Sequence, residues 1–261
     1  HLQFMSFILD SGQIDNFIHK GYVRIEQAFS QQVANDALDI LWQDIPFDRS
    51  DSSTWTQPVV WLGMYSQPPF LQSVDSAHMH AIFDQLVGAG RWVPCRSVGA
   101  FPVRFPSGVD TNDTAMHVDA GFPGDDPADF FQWRVNIHSK GRAPLMLILY
   151  SDVSELDAPT RIYEGSHLDV ARLLAGAGDQ GLSFSDLAAL APTLPARKAV
   201  TATGKAGTIY LCHPFLVHAA QAHQGTCPRF MAQPPLILKG TLDITAGTTP
   251  VELAVRYALG G

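Results

Sequence analysis

The first third of the chain has the apolar–polar pattern of a strand followed by two helices. Residues 22–25 alternate between apolar and polar side chains, which is the period of a half-buried strand. Ser30 stands where a helix N-cap belongs, and apolar residues then recur every three to four positions as far as Trp42, which predicts one buried helix face. A second helix is predicted over about residues 76–87, because Gly88 and Gly90 follow its apolar positions.

From residue 96 onward, short β-rich runs alternate with turns that contain Gly and Pro. The six runs are residues 98–105, 133–138, 145–150, 160–163, 208–212 and 229–238. The run 145–150 is apolar throughout, which predicts a strand buried on both faces. Helical segments at 168–175 and 185–190 interrupt the strands. The pattern therefore predicts a sandwich or barrel of antiparallel strands backed by N-terminal helices.

Neither a repeat nor a linker divides the chain, and 261 residues suit one large domain. We therefore expect a single domain over residues 5–261. Residues 1–4 precede a methionine and lack the features of a signal peptide, so we interpret them as a cloning remnant.

Composition and charge narrow the class of partner. The chain has 17 Lys and Arg against 25 Asp and Glu, a net charge of −8, which argues against a nucleic-acid or anionic-membrane binder. No apolar run is long enough to span a bilayer. The three cysteines are widely spaced, which excludes a zinc ribbon and favours free thiols in a reducing cytoplasm. We expect a cytoplasmic protein with a small-molecule substrate and no nucleic-acid, membrane or obligate protein partner.

A candidate metal motif lies in the β-rich part, at His117-Val118-Asp119. On an extended segment residues i and i+2 point to the same side, so the imidazole and the carboxylate can converge. Together with a second histidine they would form the set of ligands that non-haem iron(II) uses to activate oxygen. An HxD motif alone is a weak signal, so the downstream histidines decide its value.

Downstream, a β run leads into histidines at five-residue intervals, His213, His218 and His223, and then into Arg229. Here the chain resembles the phytanoyl-CoA dioxygenase-like family of Fe(II)- and 2-oxoglutarate-dependent oxygenases. In that family the distal histidine is followed by a small residue and, eleven positions after the histidine, by an arginine. His218, Ala219 and Arg229 reproduce this pattern.

A second segment carries the same resemblance. Gly165-Ser166-His167 is similar to the family's Pro-Gly-Ser-His turn, with Glu164 in place of the proline. Ala158 likewise replaces a glycine in the turn before it. Both departures fall in turns, so they affect the subfamily more than the expected chemistry.

The resemblance implies a mainly β fold with flanking helices, a double-stranded β-helix of the jelly-roll or cupin type. It implies that His117, Asp119 and His218 bind Fe(II), while Arg229 binds the far carboxylate of 2-oxoglutarate through its guanidinium. Oxygen would be the third reactant, and succinate and CO2 the products. Because halogenases of this kind lack the carboxylate ligand, Asp119 favours oxygenation.

The same resemblance suggests that Trp133 and Arg104 reach the cosubstrate pocket, although core packing for Trp133 and solvent exposure for Arg104 are equal alternatives. We expect His213 in the core or behind the ligands, His223 in solvent, and His138 and His167 in structural roles.

The substrate is expected to be a small molecule, a natural-product or sugar-like intermediate. Hydroxylation is the default outcome, and desaturation, epimerisation and ring closure are the alternatives. The loop 121–131 follows the metal motif and is expected to cover it; its aspartates could favour a cationic or polyhydroxylated compound. The alternative is a metal-binding cupin-like protein without 2-oxoglutarate turnover, either an isomerase or hydrolase or a binding module. Arg229 argues against this alternative, because a dicarboxylate cosubstrate requires such a partner.

Overall fold

The computed structural model describes residues 8–261, so the predicted remnant at residues 1–4 lies outside them. Seven α-helices occur in this range: α1 Ser11–Lys20, α2 Gln31–Leu41, α3 Pro68–Val74, α4 Ala77–Val87, α5 Ser166–Ala175, α6 Phe184–Leu190 and α7 Pro250–Ala258. Four short 3-10 helices accompany them: Trp42–Asp44, Ser52–Thr54, Phe130–Gln132 and Ala191–Thr193. None of the helices between residues 8 and 261 combines the length and the apolar composition that crossing a membrane requires.

Thirteen strands are present in the same range, most of them short: β1 Tyr22–Ile25, β2 Val59–Leu62, β3 Trp92–Val93, β4 Phe101–Arg104, β5 Arg134–Val135, β6 Leu145–Leu149, β7 Arg161–Tyr163, β8 Leu182–Ser183, β9 Ala199–Thr201, β10 Ile209–Cys212, β11 His218–Ala219, β12 Met231–Ala232 and β13 Ile237–Leu238. The largest sheet has the order β1-β10-β6-β12, and a second has the order β11-β7-β9. All their pairings are antiparallel, as predicted.

Strand β6 is buried on both faces, which confirms the prediction for this apolar run. All five of its residues are buried. Met146 and Ile148 belong to the larger hydrophobic cluster, whereas Leu145, Leu147 and Leu149 belong to a smaller one. The alternation follows from the two-residue period of a strand, which sends successive side chains to opposite faces.

The two clusters define the layers of the fold. The smaller cluster joins β6 and β10 to Ile162 of β7, so the two sheets face each other across it. The larger cluster joins the opposite face of the four-stranded sheet to helices, through residues such as Leu41 of α2, Phe83 of α4 and Val255 of α7. The core is therefore layered as helices, sheet and sheet.

The predicted N-terminal elements are confirmed. Strand β1 matches its prediction, and the Ser30 side chain accepts a hydrogen bond from Val33 N at 3.2 Å at the start of α2. Ser76 caps α4 through Met79 N, and Gly88 ends it with a φ of 103°. Helices α5 and α6 correspond to the two predicted inserts.

Some elements differ from the predictions. The predicted strand at 229–238 is broken into β12 and β13, because Pro234 and Pro235 between them have no N–H for a sheet ladder. The predicted strand at 133–138 shortens to β5. Helices α1 and α7 went unpredicted, although each begins with a capping box, Asp10 with Gln13 and Thr249 with Glu252.

Candidate metal and cosubstrate site

Two of the predicted ligands are held opposite each other by the backbone. His117 N donates to His218 O at 3.0 Å, and His218 N donates to His117 O at 3.0 Å. Residues that exchange both backbone hydrogen bonds in an antiparallel pair project their side chains to the same side. Their imidazole centroids accordingly lie 4.5 Å apart.

Asp119 joins the two histidines through the local alternation of the chain. Val118 is buried in the larger cluster, so its neighbours His117 and Asp119 point the other way. The Nε2 atoms of His117 and His218 lie 3.7 Å and 3.6 Å from the carboxylate oxygens of Asp119. One ligand atom from each of the three residues lies within 4.8 Å of the other two.

The histidine tautomers fit a cation at this point. His117 Nδ1 lies 2.9 Å from Ala115 O, and His218 Nδ1 lies 3.0 Å from Leu216 O. Because a carbonyl oxygen can only accept, each Nδ1 carries the hydrogen, which leaves Nε2 as the atom that can offer a lone pair to a cation. Burial, followed by the neighbouring His117, lowers the pKa of His218 to about 4, so its ring is neutral at neutral pH. Two imidazole lone pairs and a carboxylate suit a divalent iron ion.

Arg142 supports this site and was missed by the sequence analysis. It is buried, and it donates from Nη2 to Asp119 Oδ2 at 3.3 Å and from Nη1 to Ala120 O at 3.1 Å. Burial by itself would raise the pKa of Asp119, but the charge of Arg142 and the interactions with His218 and His117 outweigh it and lower that pKa. Asp119 is therefore held as an anion. No motif links Arg142 to Asp119, so only the folded chain reveals the pair.

A second backbone pair forms the other end of the site. Arg104 N donates to Arg229 O at 3.2 Å, and Arg229 N donates to Arg104 O at 2.8 Å. Both side chains are buried, at 3% and 1% exposure. Arg229 donates to Ala158 O at 2.5 Å and to Pro102 O at 3.2 Å. The alternative in which Arg104 is exposed to solvent is therefore wrong.

The arginine pair carries an excess of positive charge. Arg104 donates to Thr111 Oγ1 at 3.1 Å and to Asp113 Oδ2 at 2.5 Å, so one carboxylate stands against two guanidinium groups. Burial, followed by the charge of Arg104, lowers the pKa of Arg229 to about 9, which still leaves it protonated at neutral pH. The Nε atoms of both arginines are buried and have no hydrogen-bond partner among residues 8–261. Such a site fits an anionic ligand, and a carboxylate matches the geometry of a guanidinium.

A cavity of about 760 Å³ connects the two ends. This volume is within the range of small-molecule sites. Its wall contains the three predicted ligands and both arginines, together with Trp61, Ala100, Pro102, Asn112, Asp113, Ala115, Phe130, Phe131, Thr160, Phe184, Ala188, Ala220, Met231 and Gln233.

Trp133 is not in the cavity wall. Its indole Nε1 donates to Pro127 O at 2.9 Å, its ring lies 5.9 Å from that of Phe130, and it packs against the larger cluster. The prediction that Trp133 lines the cosubstrate pocket is therefore wrong, and the alternative of core packing is correct. The 3-10 helix Phe130–Gln132, directly before Trp133, supplies Phe130 and Phe131 to the cavity wall instead.

The structure places the remaining histidines away from the ligands. His223 was expected in solvent but is buried, with Nε2 2.7 Å from Cys227 O and Nδ1 accepting from Gly225 N at 3.1 Å. It thereby stabilises the loop between His218 and Arg229.

The other three lie where structural roles were expected. His213 is in the core, and its Nε2 lies 3.1 Å from Val251 O. His167 Nε2 lies 2.8 Å from Ile18 O, and His138 Nδ1 lies 3.3 Å from Leu242 O.

The family assignment agrees with this geometry. Residues 104–231 match the family model of phytanoyl-CoA dioxygenase (PhyH), a span that contains the three predicted ligands and both arginines. The chain belongs to the phytanoyl-CoA dioxygenase-like family of Fe(II)- and 2-oxoglutarate-dependent oxygenases. A search of curated proteins found no match.

Solved structures with a similar fold include oxygenases of this type. One is the non-heme alpha ketoglutarate dependent carbocyclase SnoK from nogalamycin biosynthesis, at 16% identity and a TM-score of 0.56, covering 90% of this chain and 86% of SnoK. Another is EctD from S. alaskensis, at 19% identity and a TM-score of 0.55, covering 89% and 76% of the two chains. A third is HygX from Streptomyces hygroscopicus, at 16% identity and a TM-score of 0.52, covering 87% and 86%. At these identities the likeness concerns the fold alone.

Proposed function

We propose that the protein is an oxygenase that uses Fe(II), 2-oxoglutarate and O2 to oxidise a small organic molecule, with release of succinate and CO2. The observation that carries the proposal is the contrast within one cavity. Two imidazoles and an ionised carboxylate converge at one end, and two buried guanidinium groups meet at the other. A 2-oxoglutarate molecule has matching ends, a keto acid that can chelate a metal and a distal carboxylate.

The residues would divide the work as follows. His117, Asp119 and His218 would hold the iron, which when bound with 2-oxoglutarate supplies the oxidising power for attack on a substrate C–H bond. Arg229 would bind the distal carboxylate, and Arg104 beside it would add a second positive charge. Asp113 neutralises part of this charge.

We also propose a fold type, a reaction outcome and a class of substrate. The facing antiparallel sheets within residues 8–261 support a double-stranded β-helix in one domain. Hydroxylation is the proposed default outcome of the reaction. The proposed substrate is a natural-product intermediate, and the proposed location of the protein is the cytoplasm. The related structures include EctD with 2-oxoglutarate and 5-hydroxyectoine, and HygX with nickel, 2-oxoglutarate and hygromycin B.

Addition of Fe(II) and 2-oxoglutarate under anaerobic conditions tests the proposal. We expect a weak visible charge-transfer band in the wild type, lost in His117→Ala and His218→Ala. His80→Ala is the matched control, because His80 lies on α4 and is not in the cavity wall. Its Nε2 lies 2.7 Å from Asp75 Oδ1. In air, the wild type should also form succinate slowly without a substrate. Iron binding with neither the band nor succinate would contradict the proposal and favour the cupin-like alternative.

A further inference from the structure

Exposed aromatic side chains are concentrated at the cavity. Within residues 8–261 every exposed tryptophan or phenylalanine lies in its wall: Trp61 at 59%, Phe130 at 45% and Phe131 at 63% exposure. Single exposed apolar residues are ordinary, but a group of large ones around one concave site is typical of ligand binding. The clustering therefore points to a ligand that covers these rings.

Two of these rings belong to a cluster that reaches the metal ligands. Phe130 and Phe131 lie 5.1 Å and 5.9 Å from the ring of Phe184, and the ring of Phe184 lies 5.7 Å from that of His117. The ring planes are inclined to one another by 50° to 61°, as in tilted and edge-to-face aromatic pairs. The cluster therefore offers both faces and edges of aromatic rings, and a ligand in contact with it would have one part next to His117.

Trp61 reaches the cavity from the other end. It lies on β2 opposite Pro102 of β4, and the Pro102 carbonyl accepts from Arg229. Both Trp61 and Pro102 line the cavity. The aromatic wall thus extends from the neighbourhood of the arginine pair to the neighbourhood of the metal ligands.

Two of the three aspartates in the loop 121–131 make hydrogen bonds within the loop and its following turn. Asp126 Oδ1 accepts from Ala128 N at 2.9 Å, and Asp129 accepts from Phe131 N at 3.0 Å and from Gln132 Nε2 at 2.8 Å. None of the three aspartates of this loop lines the cavity. The loop therefore offers two phenyl rings, held in place by Asp129, and gives no support to a cationic or polyhydroxylated substrate.

We infer that the substrate is an uncharged ring compound, aromatic or fused-ring, that packs against Phe131, Phe130 and Phe184 through face and edge contacts and meets Trp61 at the other end of the cavity. The inference rests on the proposed function for the statement that this compound is oxidised. A sugar can place a C–H face on one aromatic ring, but its hydroxyl edges would then lie against the apolar rings on the other sides. An acyl chain would bury the rings but has no π-system for face and edge contacts.

A matched pair of probes tests the inference by calorimetry on metal-free protein. 2-Naphthol and decahydro-2-naphthol share a carbon skeleton and a hydroxyl group and differ in aromaticity, and methyl α-D-glucopyranoside represents sugars. We expect 2-naphthol to bind at least 10-fold more tightly than either of the others. Equal affinities, or a preference for the glucoside or the saturated alcohol, would overturn the inference.

Variants locate the binding. Trp61→Ala, Phe131→Ala and Phe131→Leu should each weaken 2-naphthol binding at least 5-fold, and the leucine variant separates stacking from simple apolar contact. Tyr257→Ala is the control, because Tyr257 is also an exposed aromatic residue, at 51%, but lies on α7 outside the cavity wall. Unchanged binding in the Trp61 and Phe131 variants would place the probe elsewhere and refute the inference.

The assay distinguishes the two levels of the proposal. Because the probes are measured without iron, an aromatic preference with no charge-transfer band would refute the oxygenase function and leave the aromatic site intact. A normal band without aromatic preference would refute the substrate class alone.

Discussion

The two ends of the cavity are built on the same backbone arrangement and have opposite chemistry. Arg104 pairs with Arg229, and His117 pairs with His218, each pair through two reciprocal backbone hydrogen bonds. In the histidine pair each Nδ1 is satisfied by a carbonyl, so lone pairs are left for a cation. In the arginine pair two guanidinium groups face one carboxylate, that of Asp113, so positive charge is left for an anion. The side chains, rather than the shared backbone arrangement, therefore determine what each end binds.

The largest expected effect comes from removing the carboxylate at the histidine end. Asp119→Ala should weaken metal binding by about 100-fold or more, since even loss of groups behind the ligands costs about 10- to 100-fold. Competition of Co(II) or anaerobic Fe(II) against a chromophoric chelator measures this. Asp113→Asn, a carboxylate change at the arginine end, is the control and should leave metal affinity unchanged. Equal metal affinity of the wild type and Asp119→Ala would exclude the triad as the metal site.

The next effect belongs to the arginine end. Arg229→Ala should lower 2-oxoglutarate affinity by roughly 30-fold or more, because loss of one partner of a buried charged pair typically costs about 2–5 kcal/mol. Metal affinity should change little. Titration of 2-oxoglutarate into Ni(II)-loaded protein measures the effect, with the surface change Arg24→Ala as control. A 2-oxoglutarate affinity like that of the wild type would show that Arg229 does not bind the cosubstrate.

A smaller effect on metal affinity is expected from Arg142, which lies behind the proposed metal ligand Asp119. Arg142→Met should weaken metal binding by about 10-fold, near the lower limit for such supporting groups, because its hydrogen bond to Asp119 is long, at 3.3 Å. The affinity of metal-saturated protein for 2-oxoglutarate should stay within a factor of two or three. The chelator competition detects the change, and Arg142→Lys should recover part of it. An effect confined to 2-oxoglutarate would show that Arg142 acts at the other end.

The smallest expected effect is a gain in 2-oxoglutarate affinity rather than a loss. Asp113→Asn removes the negative charge against Arg104, so the arginine pair becomes more positive and 2-oxoglutarate should bind about 2- to 5-fold more tightly, as expected for a partly exposed ion pair. The gain should shrink as salt is added, because salt screens the interaction. Weaker binding in Asp113→Asn would indicate that Asp113 positions Arg104 rather than competing with the cosubstrate.

Local features were predictable from the sequence because they depend on neighbours along the chain. The alternation around His117 and Asp119, the apolar run of β6, and the Ser30 cap all follow from the periods of strands and helices. The eleven-residue interval from His218 to Arg229 was also readable, through the family resemblance, before the fold was known.

Other features depend on contacts between distant segments. Arg142 meets Asp119 across 23 positions, and Trp61 reaches the cavity because β2 pairs with β4. Trp133 and His223 were mispredicted for the same reason. Trp133 follows the metal motif closely but packs outside the cavity wall, and His223 was expected in solvent but is buried. Burial and partner choice are properties of the whole packed chain, so no local pattern encodes them.

By itself the sequence determined the type of fold, the candidate ligands and the candidate cosubstrate arginine, because spacing and residue type limit which atoms can converge. Only the tertiary structure decided how these groups are used. It placed two histidines and two arginines in opposed pairs, left lone pairs at one end and positive charge at the other, and put the exposed aromatic rings in the wall of the same cavity. The reason is that unsatisfied polar atoms and exposed rings appear only after every other group has found its partner.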